Sequence, residues 1–264
     1  MVKVYSSSTS YPYPLPTVSL AYFLRYPNPY STHVASTDTL SRNFDPTTQR
    51  LTTVRLHIKR SRLPPGVVKL LPKSDLVKGE GADGGTQSFI LESSVVDVRQ
   101  GWMETESRNL DWENVLQVIE RQTYRRPAAL TTATEGQSLE ARLAERALDT
   151  RTECETTVTL KSRIGEQLRR RRQRWGDQPS PTTASSTASP STMNEDDEPQ
   201  QKQSWFQSWS SGAIRAAIET ISLQRTEKSQ PKAVKGMSVV LERLRTGGVQ
   251  GVLEGMRADG EVKF

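Results

Sequence analysis

Arg25 and His33 flank a proline-rich turn, and their types and spacing could hold a negatively charged ligand. Proline fixes the backbone angle φ at Pro27 and Pro29, and Asn28 is predicted to be extended because it precedes a proline. The turn would therefore hold the arginine and the histidine in one reproducible arrangement. Arginine offers paired donors to an anion, and histidine adds a donor whose charge responds to pH near neutrality. We expect an anionic ligand at this turn.

Catalytic and metal-binding functions find little support in the residue types. The chain has two histidines and one cysteine, too few for Cys/His metal sites. A triad of Ser31, His33 and Asp38 can be drawn, but neighbours on one short turn rarely converge, and no Gly-x-Ser-x-Gly elbow or phosphate-binding glycine loop accompanies them. Glu104 and Glu106 share one face of an alternating strand and are predicted to be exposed. We therefore expect a protein that is not an enzyme and needs no cofactor or metal.

A short helix and a series of strands must position the turn. Residues 17–24 predict a helix with Thr17 as its N-cap, ending at the Pro27 break. Residues 51–58 alternate, with Val54 and two further aliphatic residues on one face and polar residues on the other, which predicts a strand. Further strands are predicted at residues 89–96, 102–108, 115–124 and 152–160. Their short connections predict an antiparallel meander.

The C-terminal part returns to helical spacing. Its apolar stripe is formed by Ile214, Ala217, Ile218 and Ile221, then by Val234, Met237, Val240, Leu241 and Leu244. Pro231 lies between these halves and predicts a kink or a break, because proline costs a straight helix about 3 kcal/mol. Gly247 and Gly248 are predicted to end the helix. The chain is thus predicted to be α+β, with a sheet packed on a long C-terminal helix.

Composition and charge divide the chain into unlike parts. Hydrophobic residues make up 34% of the sequence, below the roughly 45–50% apolar content of globular domains. Residues 177–204 are rich in Pro, Ser, Thr and Gln and predict a disordered linker. Residues 161–174 hold seven basic residues and one acid, which equals the net charge of +6 of the whole chain. This basic segment could be a solvated linker, a contact for anionic membranes, or a nucleic-acid or import signal.

The single cysteine and the apolar content bear on compartment. Cys154 excludes an internal disulfide, and its alternation with polar neighbours over residues 152–160 predicts a buried strand cysteine. No stretch approaches about 18 consecutive apolar residues, so no transmembrane helix is predicted. The first residues lack both the apolar region of a secretory signal and the Arg-rich helix of a transit peptide. These features alone favour a cytosolic protein.

Five short motifs resemble one known family. They are RYPNPYS at 25–31, TDTLSRN at 37–43, RLHIKRSRLP at 55–64, SVVD at 94–97 and RNLD at 108–111. Together they resemble the PRELI-like family of mitochondrial intermembrane-space phospholipid-transfer proteins, over roughly residues 1–125 and 205–245. RYPNPYS and RNLD are more similar to the branch that carries phosphatidic acid than to the one that carries phosphatidylserine.

The resemblance implies a fold and a division of the chain. The implied fold is a curved antiparallel sheet wrapped around the C-terminal helix, with a START-like or helix-grip cavity. One domain would comprise residues 1–160 and 205–246, with a basic and disordered insert at 161–204 and a tail at 247–264. Such a cavity suits a lipid, because two acyl chains hold about 30 methylenes and each costs about 0.8 kcal/mol to expose to water.

Six basic residues are the headgroup ligands that the resemblance implies. They are Arg25, His33, Lys59, Arg62, Arg215 and Arg225. Arg215 and Arg225 stand where the family has lysines, and because a planar guanidinium differs from a compact ammonium, headgroup preference stays open. Each of these side chains could instead be a solvated surface residue.

Residues 63–83 combine an apolar patch with three lysines, between prolines and glycines. The patch consists of Val67, Val68, Leu70 and Leu71. This composition predicts a lid or a membrane-contacting loop, and the family's mobile loop over the cavity mouth favours the same interpretation. The alternative is a short helix that caps the core.

The resemblance also implies a function and partners. The chain would carry phosphatidic acid from the outer to the inner mitochondrial membrane, by a nonvesicular route that supports cardiolipin synthesis. Its partners would be anionic mitochondrial membranes, contacted transiently, and a small helical intermembrane-space protein with paired cysteines. The alternatives are a phosphatidylserine carrier of the same family and a scaffold that docks partners through the insert. Nucleic-acid binding through residues 169–174 is a third, but it lacks interleaved aromatic residues beyond Trp175.

Overall fold

The computed structural model describes residues 2–61, 86–111, 113, 116–127, 150–162 and 211–261. These residues form seven strands and two helices, in the α+β arrangement that the sequence predicts. In chain order the elements are β1 (Val2–Tyr11), α1 (Leu15–Phe23), β2 (Val34–Asp45), β3 (Arg50–Ser61), β4 (Thr86–Asp97), β5 (Trp102–Asn109), β6 (Leu116–Arg125), β7 (Thr152–Ser162) and α2 (Ser211–Glu261). The predicted lid and residues 163–204 of the predicted insert lie outside the described residues.

The strands form one antiparallel sheet with the order β1-β7-β6-β5-β4-β3-β2. Strands β2 to β7 follow one another as the predicted meander, and all five predicted strands are present. Strand β1 adds to the far edge, where Val2 pairs with Lys161 and Tyr11 with Thr152. The last strand therefore lies between the first strand and β6.

The face of the sheet that packs inward is unexpectedly polar. On β3 the buried side chains are Thr53, Arg55 and His57, whereas the alternating aliphatic residues of the same strand are partly exposed. The register continues this polar character across neighbouring strands, since Thr53 is opposite Ser94, Ser94 opposite Thr105, and Thr105 opposite Gln122. A band of hydroxyl and amide side chains thus crosses the sheet.

The hydrophobic core lies beside this polar band, where both helices meet the sheet. Helix α1 contributes Val18 and Tyr22, both fully buried, and α2 contributes Met237 and Leu241. Helix α1 begins two residues before the predicted N-cap, and the residue at its N-cap, Pro14, forms no side-chain capping bond. The Thr17 cap was therefore wrong, because the helix starts with prolines, whose fixed φ suits a first turn.

Helix α2 continues through Pro231, so of the kink or break predicted there, the break was wrong. Pro231 and Glu227, whose carbonyl would have accepted the missing backbone bond, are both exposed residues, and water can satisfy that carbonyl. The non-helical residue is Gly248, with φ 59° and ψ −155°, a left-handed φ that glycine adopts without strain. The glycine pair interrupts the helix, but the prediction that the helix ends there was wrong, because α2 continues to Glu261.

The chain beyond Gly248 is helical again, although residues 247–264 were predicted to be a tail. Val252 is fully buried in the core. Arg243 Nη1 lies 2.7 Å from Asp259 Oδ2, which ties this second arm to the first. Among the described residues, no helix is long and apolar enough to cross a membrane.

Candidate functional site

A cavity of about 550 Å³ lies between the proline-rich turn, strands β3 to β6 and helix α2. Basic side chains dominate its lining: Arg25, His33, Lys59, Arg60, Arg225, Lys228 and Lys232. Glu120 is the one acid among the described lining residues. The arrangement can attract and hold an anion, because several cations surround one space.

Four of the six predicted headgroup ligands meet in this cavity: Arg25, His33, Lys59 and Arg225. Arg62 lies outside the described residues, as do the four apolar residues predicted for the lid. Arg215 belongs to α2, but its side chain is not among those described. The structure thus brings the described members together, while their role as headgroup ligands stays a prediction.

Arg25 is placed by the end of α1. Its guanidinium carbon lies 3.9 Å from the ring centre of Tyr22 and 4.8 Å from that of Tyr26. Its Nη2 donates to Glu92 Oε2 at 2.5 Å, and 17% of the side chain is exposed. The Arg25 pKa is raised well above its ordinary value: burial opposes the charge, but the neighbouring tyrosines and Glu92 outweigh it. Arg25 is therefore a fixed cation at the cavity wall.

Asn28 holds the turn that follows Arg25. Its side-chain amide donates to the Arg25 carbonyl at 2.6 Å, and its Oδ1 accepts from the Tyr30 amide at 2.9 Å. The residue is 2% exposed, and helix α2 approaches it so closely that a Cβ on Gly236 would lie 2.7 Å from Asn28 Oδ1. The predicted turn is therefore held by the hydrogen bonds of the Asn28 side chain, and Gly236 allows α2 to pack closely against it.

Arg25 is held by a buried ion cluster that it forms with Arg55, His57 and Glu92. This cluster was not predicted from the sequence. Glu92 Oε1 accepts from Arg55 Nε at 2.8 Å and from Arg55 Nη2 at 2.5 Å. Its other oxygen, which binds Arg25, is 3.1 Å from His57 Nε2. Arg55 also donates to the Phe23 carbonyl at 3.0 Å, at the end of α1. The cluster fixes Arg25 to two strands and to the helix.

The protonation states within this cluster follow from its geometry. Burial disfavours ionisation of Glu92, but the Arg25 charge, the His57 hydrogen bond and the Arg55 charge hold the pKa of Glu92 well below its ordinary value. Burial lowers the pKa of His57 against the raising effect of Glu92. A neutral His57 donates through Nε2 to the carboxylate, so its Nδ1 accepts from Thr37 Oγ1 at 2.9 Å. The cluster then carries one net positive charge.

Helix α2 supplies the opposite wall. Arg225, Lys228 and Lys232 follow at spacings of three and four residues, which places them on one helical face. Of these three residues, only Arg225 was predicted to be a headgroup ligand. The spacing itself was the signal that could have identified the two lysines.

The described lining suits a headgroup better than acyl chains. Its few apolar or aromatic members are Ile90, Ala233, Tyr26 and Tyr30. An apolar enclosure for two acyl chains is not present among these residues. The cavity is therefore suited to the charged end of an anionic ligand.

Two further sequence predictions are confirmed nearby. Cys154 is 2% exposed on β7, and burial raises its pKa to about 11, which makes it a structural cysteine and a poor nucleophile. Glu104 and Glu106 lie on the outer face, with side chains 54% and 41% exposed, where they pair with Arg125 and Arg121.

Comparison with known proteins relates part of this site to one family. Residues 16–143 match the PRELI-like family. The chain is similar to the PRELI-like family over these residues, which are just under half of its length. The match contains the proline-rich turn, the ion cluster and Glu120, whereas the basic face of α2 lies outside it. The cavity is therefore built from residues inside this match and from a helix outside it.

Individual relatives are also similar to part of this chain. The chain is 40% identical over 124 residues to "Protein UPS1, mitochondrial" of Saccharomyces cerevisiae, across 47% of this chain and 64% of the relative. It is 42% identical to "Protein ups1 homolog" of Schizosaccharomyces pombe, across 39% of this chain and 53% of the relative. It is 35% identical to "PRELI domain-containing protein 1, mitochondrial" of Mus musculus, across 40% of this chain and 45% of the relative. The chain thus matches about half to two thirds of the length of these relatives.

A solved structure gives a much weaker likeness. The crystal structure of Ara h 8.0201 aligns at a TM-score of 0.38 with 12% identity, covering 92% of this chain and 99% of that chain. That likeness is too weak to assign a function.

Proposed function

We propose that this PRELI-like chain is a nonvesicular phospholipid carrier whose cavity binds an anionic phosphate headgroup. The cargo we propose is phosphatidic acid, moved from the outer to the inner mitochondrial membrane in support of cardiolipin synthesis. The observation that carries the proposal is the convergence of Arg25 with cations of β3 and α2 around one cavity. Arginine and lysine together supply directed donors and diffuse positive charge for a phosphate.

The compartment and the partner belong to the same proposal. Relatives from yeast and mouse are named mitochondrial, which supports a mitochondrial site of action. We place the protein in the intermembrane space, where a small helical protein with paired cysteines would stabilise it. Contact with anionic mitochondrial membranes would be transient and peripheral, since the cargo must be collected and released.

Transfer of fluorescent lipid between liposomes tests the function. The full chain, co-expressed with the proposed partner, should move phosphatidic acid from donor to acceptor vesicles, and Arg25→Gln should abolish most of that transfer. The matched control is Arg99→Gln, because Arg99 is exposed in the turn after β4 and does not line the cavity. Circular dichroism should show that both variants are folded.

A second set of variants protects the test against misfolding of Arg25→Gln. Arg225, Lys228 and Lys232 are exposed on α2 and can be changed together to glutamine without removing a core side chain. The triple variant should also lose transfer. A folded protein complex that transfers no phospholipid would overturn the proposed function.

A further inference from the structure

Glu120 is a carboxylate that the cavity holds with neutral amides. Its Oε1 accepts from Gln122 Nε2 and from Gln230 Nε2, each at 3.2 Å. Gln122 is on the same strand, whereas Gln230 comes from α2 and is 8% exposed. Tyr124 Oη in turn donates to Gln122 Oε1 at 3.0 Å. Glu120 is thus fixed in place from both walls of the cavity.

Within the described ranges, Glu120 forms no ion pair with a basic side chain. The ion pairs found there involve Glu92, Asp97, Glu106, Glu104, Asp259 and Glu242 as acids. An ionised carboxylate can accept about four hydrogen bonds, and amide donors occupy one of its two oxygens. Acceptor capacity and negative charge therefore remain for a ligand in a cavity that is otherwise basic.

We propose that Glu120 is a specificity-determining residue that lets the same cavity accept, besides phosphatidic acid, phospholipids whose headgroup carries an ammonium group. The basic residues would bind the phosphate, and Glu120 would accept from the amine of the same molecule. The two charges of a zwitterionic amino-phosphate headgroup would then each find an opposite charge in one cavity. This inference rests on the proposed function, because it concerns which phospholipid the same site selects.

Competition between two phosphodiester lipids isolates the amine. Vesicles with equal amounts of phosphatidylethanolamine and phosphatidylglycerol are incubated with the full chain, and the captured lipids are counted by mass spectrometry. Glu120→Gln should lower the ratio of ethanolamine to glycerol lipid by about fivefold to tenfold, because a charge-assisted hydrogen bond is lost and a repulsion of the anionic lipid is relieved. Glu120→Asp keeps the charge and should retain more of that ratio than glutamine.

Glu106→Gln is the matched control, because Glu106 is on the outer face of the neighbouring strand and does not line the cavity. It should leave the ratio unchanged. An equal ratio in Glu120→Gln and the original chain would overturn the inference, while continued capture of phosphatidic acid would leave the proposed function standing. Failure of the original chain to capture any phospholipid would overturn both.

A measurement without substitution guards against a misfolded variant. Phosphatidylcholine has a quaternary ammonium that cannot donate a hydrogen bond, so the original chain should capture phosphatidylethanolamine about threefold or more in preference to it. Equal capture of the two lipids would also overturn the role of Glu120.

Discussion

Arg55 Nη2 lies 2.5 Å from Glu92 Oε1, and both side chains are at most 3% exposed. Such a pair adds little net stability when complete, since both charges lose water, but the removal of one partner leaves the other buried and unpaired. Removal of Glu92 would leave two arginines without their ion-pair partner, because Glu92 also accepts from Arg25. The cluster is therefore a point at which a single substitution has a large effect.

Glu92→Gln should lower the free energy of unfolding by about 3–5 kcal/mol, as expected for a broken buried ion pair. Urea denaturation followed by circular dichroism measures the change. Glu104→Gln is the control, because its 3.6 Å pair with Arg125 is more than half exposed, and it should change stability by no more than about 0.5 kcal/mol. A loss below about 1 kcal/mol for Glu92→Gln would contradict the role given to the cluster.

His57 should make stability depend on pH above the range in which carboxylates titrate. Burial lowers its pKa in the folded state, so the unfolded chain, with a histidine pKa of about 6.5, binds more protons between the two values. Stability should therefore fall as pH is lowered through about 6.5. Urea denaturation at about pH 7.5 and about pH 5.5 should show this loss in the original chain and a smaller one in His57→Asn.

The control for that experiment is Lys235→Asn, since Lys235 is exposed on α2 and a lysine keeps its charge over this pH range. It should keep the pH dependence of the original chain. Equal pH dependence in all three proteins would show that His57 does not titrate between the folded and unfolded states.

Gly236→Ala should destabilise the protein, because the new Cβ would lie 2.7 Å from Asn28 Oδ1. Relief requires a shift of α2 or of the turn, and overpacking of this kind costs about 1–3 kcal/mol. Gly247→Ala is the matched control in the same helix, since a Cβ there meets nothing within 4 Å, and it should be neutral or stabilising by up to about 1 kcal/mol. Thermal unfolding of the two variants distinguishes these outcomes, and similar melting temperatures would contradict the close approach.

Lys228 and Lys232 should contribute to headgroup capture through their charge. The double change to glutamate should lower transfer of phosphatidic acid by about threefold to tenfold at low salt, and the deficit should shrink at high salt because exposed charges are screened. Lys235→Glu is the control, since Lys235 is exposed on α2 but does not line the cavity. A deficit of the same size in Lys235→Glu would indicate a general effect of net charge.

The elements with a strong alternating or helical pattern could be predicted from the sequence, and the others could not. Residues 51–58 show clear alternation and form the middle of β3. Strand β2 has exposed residues on both faces along most of its length, so it carries no hydrophobic alternation, and β1 contains a run of serines. Both are edge strands, which need less apolar surface than central ones.

The residues of the candidate site that are close in sequence could be predicted, whereas those brought together by strand pairing could not. Arg25 and His33 were recognisable because a rigid turn joins them locally. Glu92 was not, because its importance depends on the register that places it opposite Arg55, 37 residues away in sequence. Alternation on β3 also suggests that the aliphatic face is buried, whereas the polar face packs inward around the ion cluster.

The pairing of β1 with β7 has a consequence for how the chain acquires its fold. Val2 pairs with Lys161, so the first strand cannot pair until the last strand of the described sheet has been made. Contacts so distant in sequence slow folding, because a long loop must close before any bond forms. An N-terminal fragment that ends before Thr152 would leave β1 without its neighbour and β6 with one free edge. The sheet therefore cannot be completed strand by strand as the chain is synthesised, because its first strand pairs with its last.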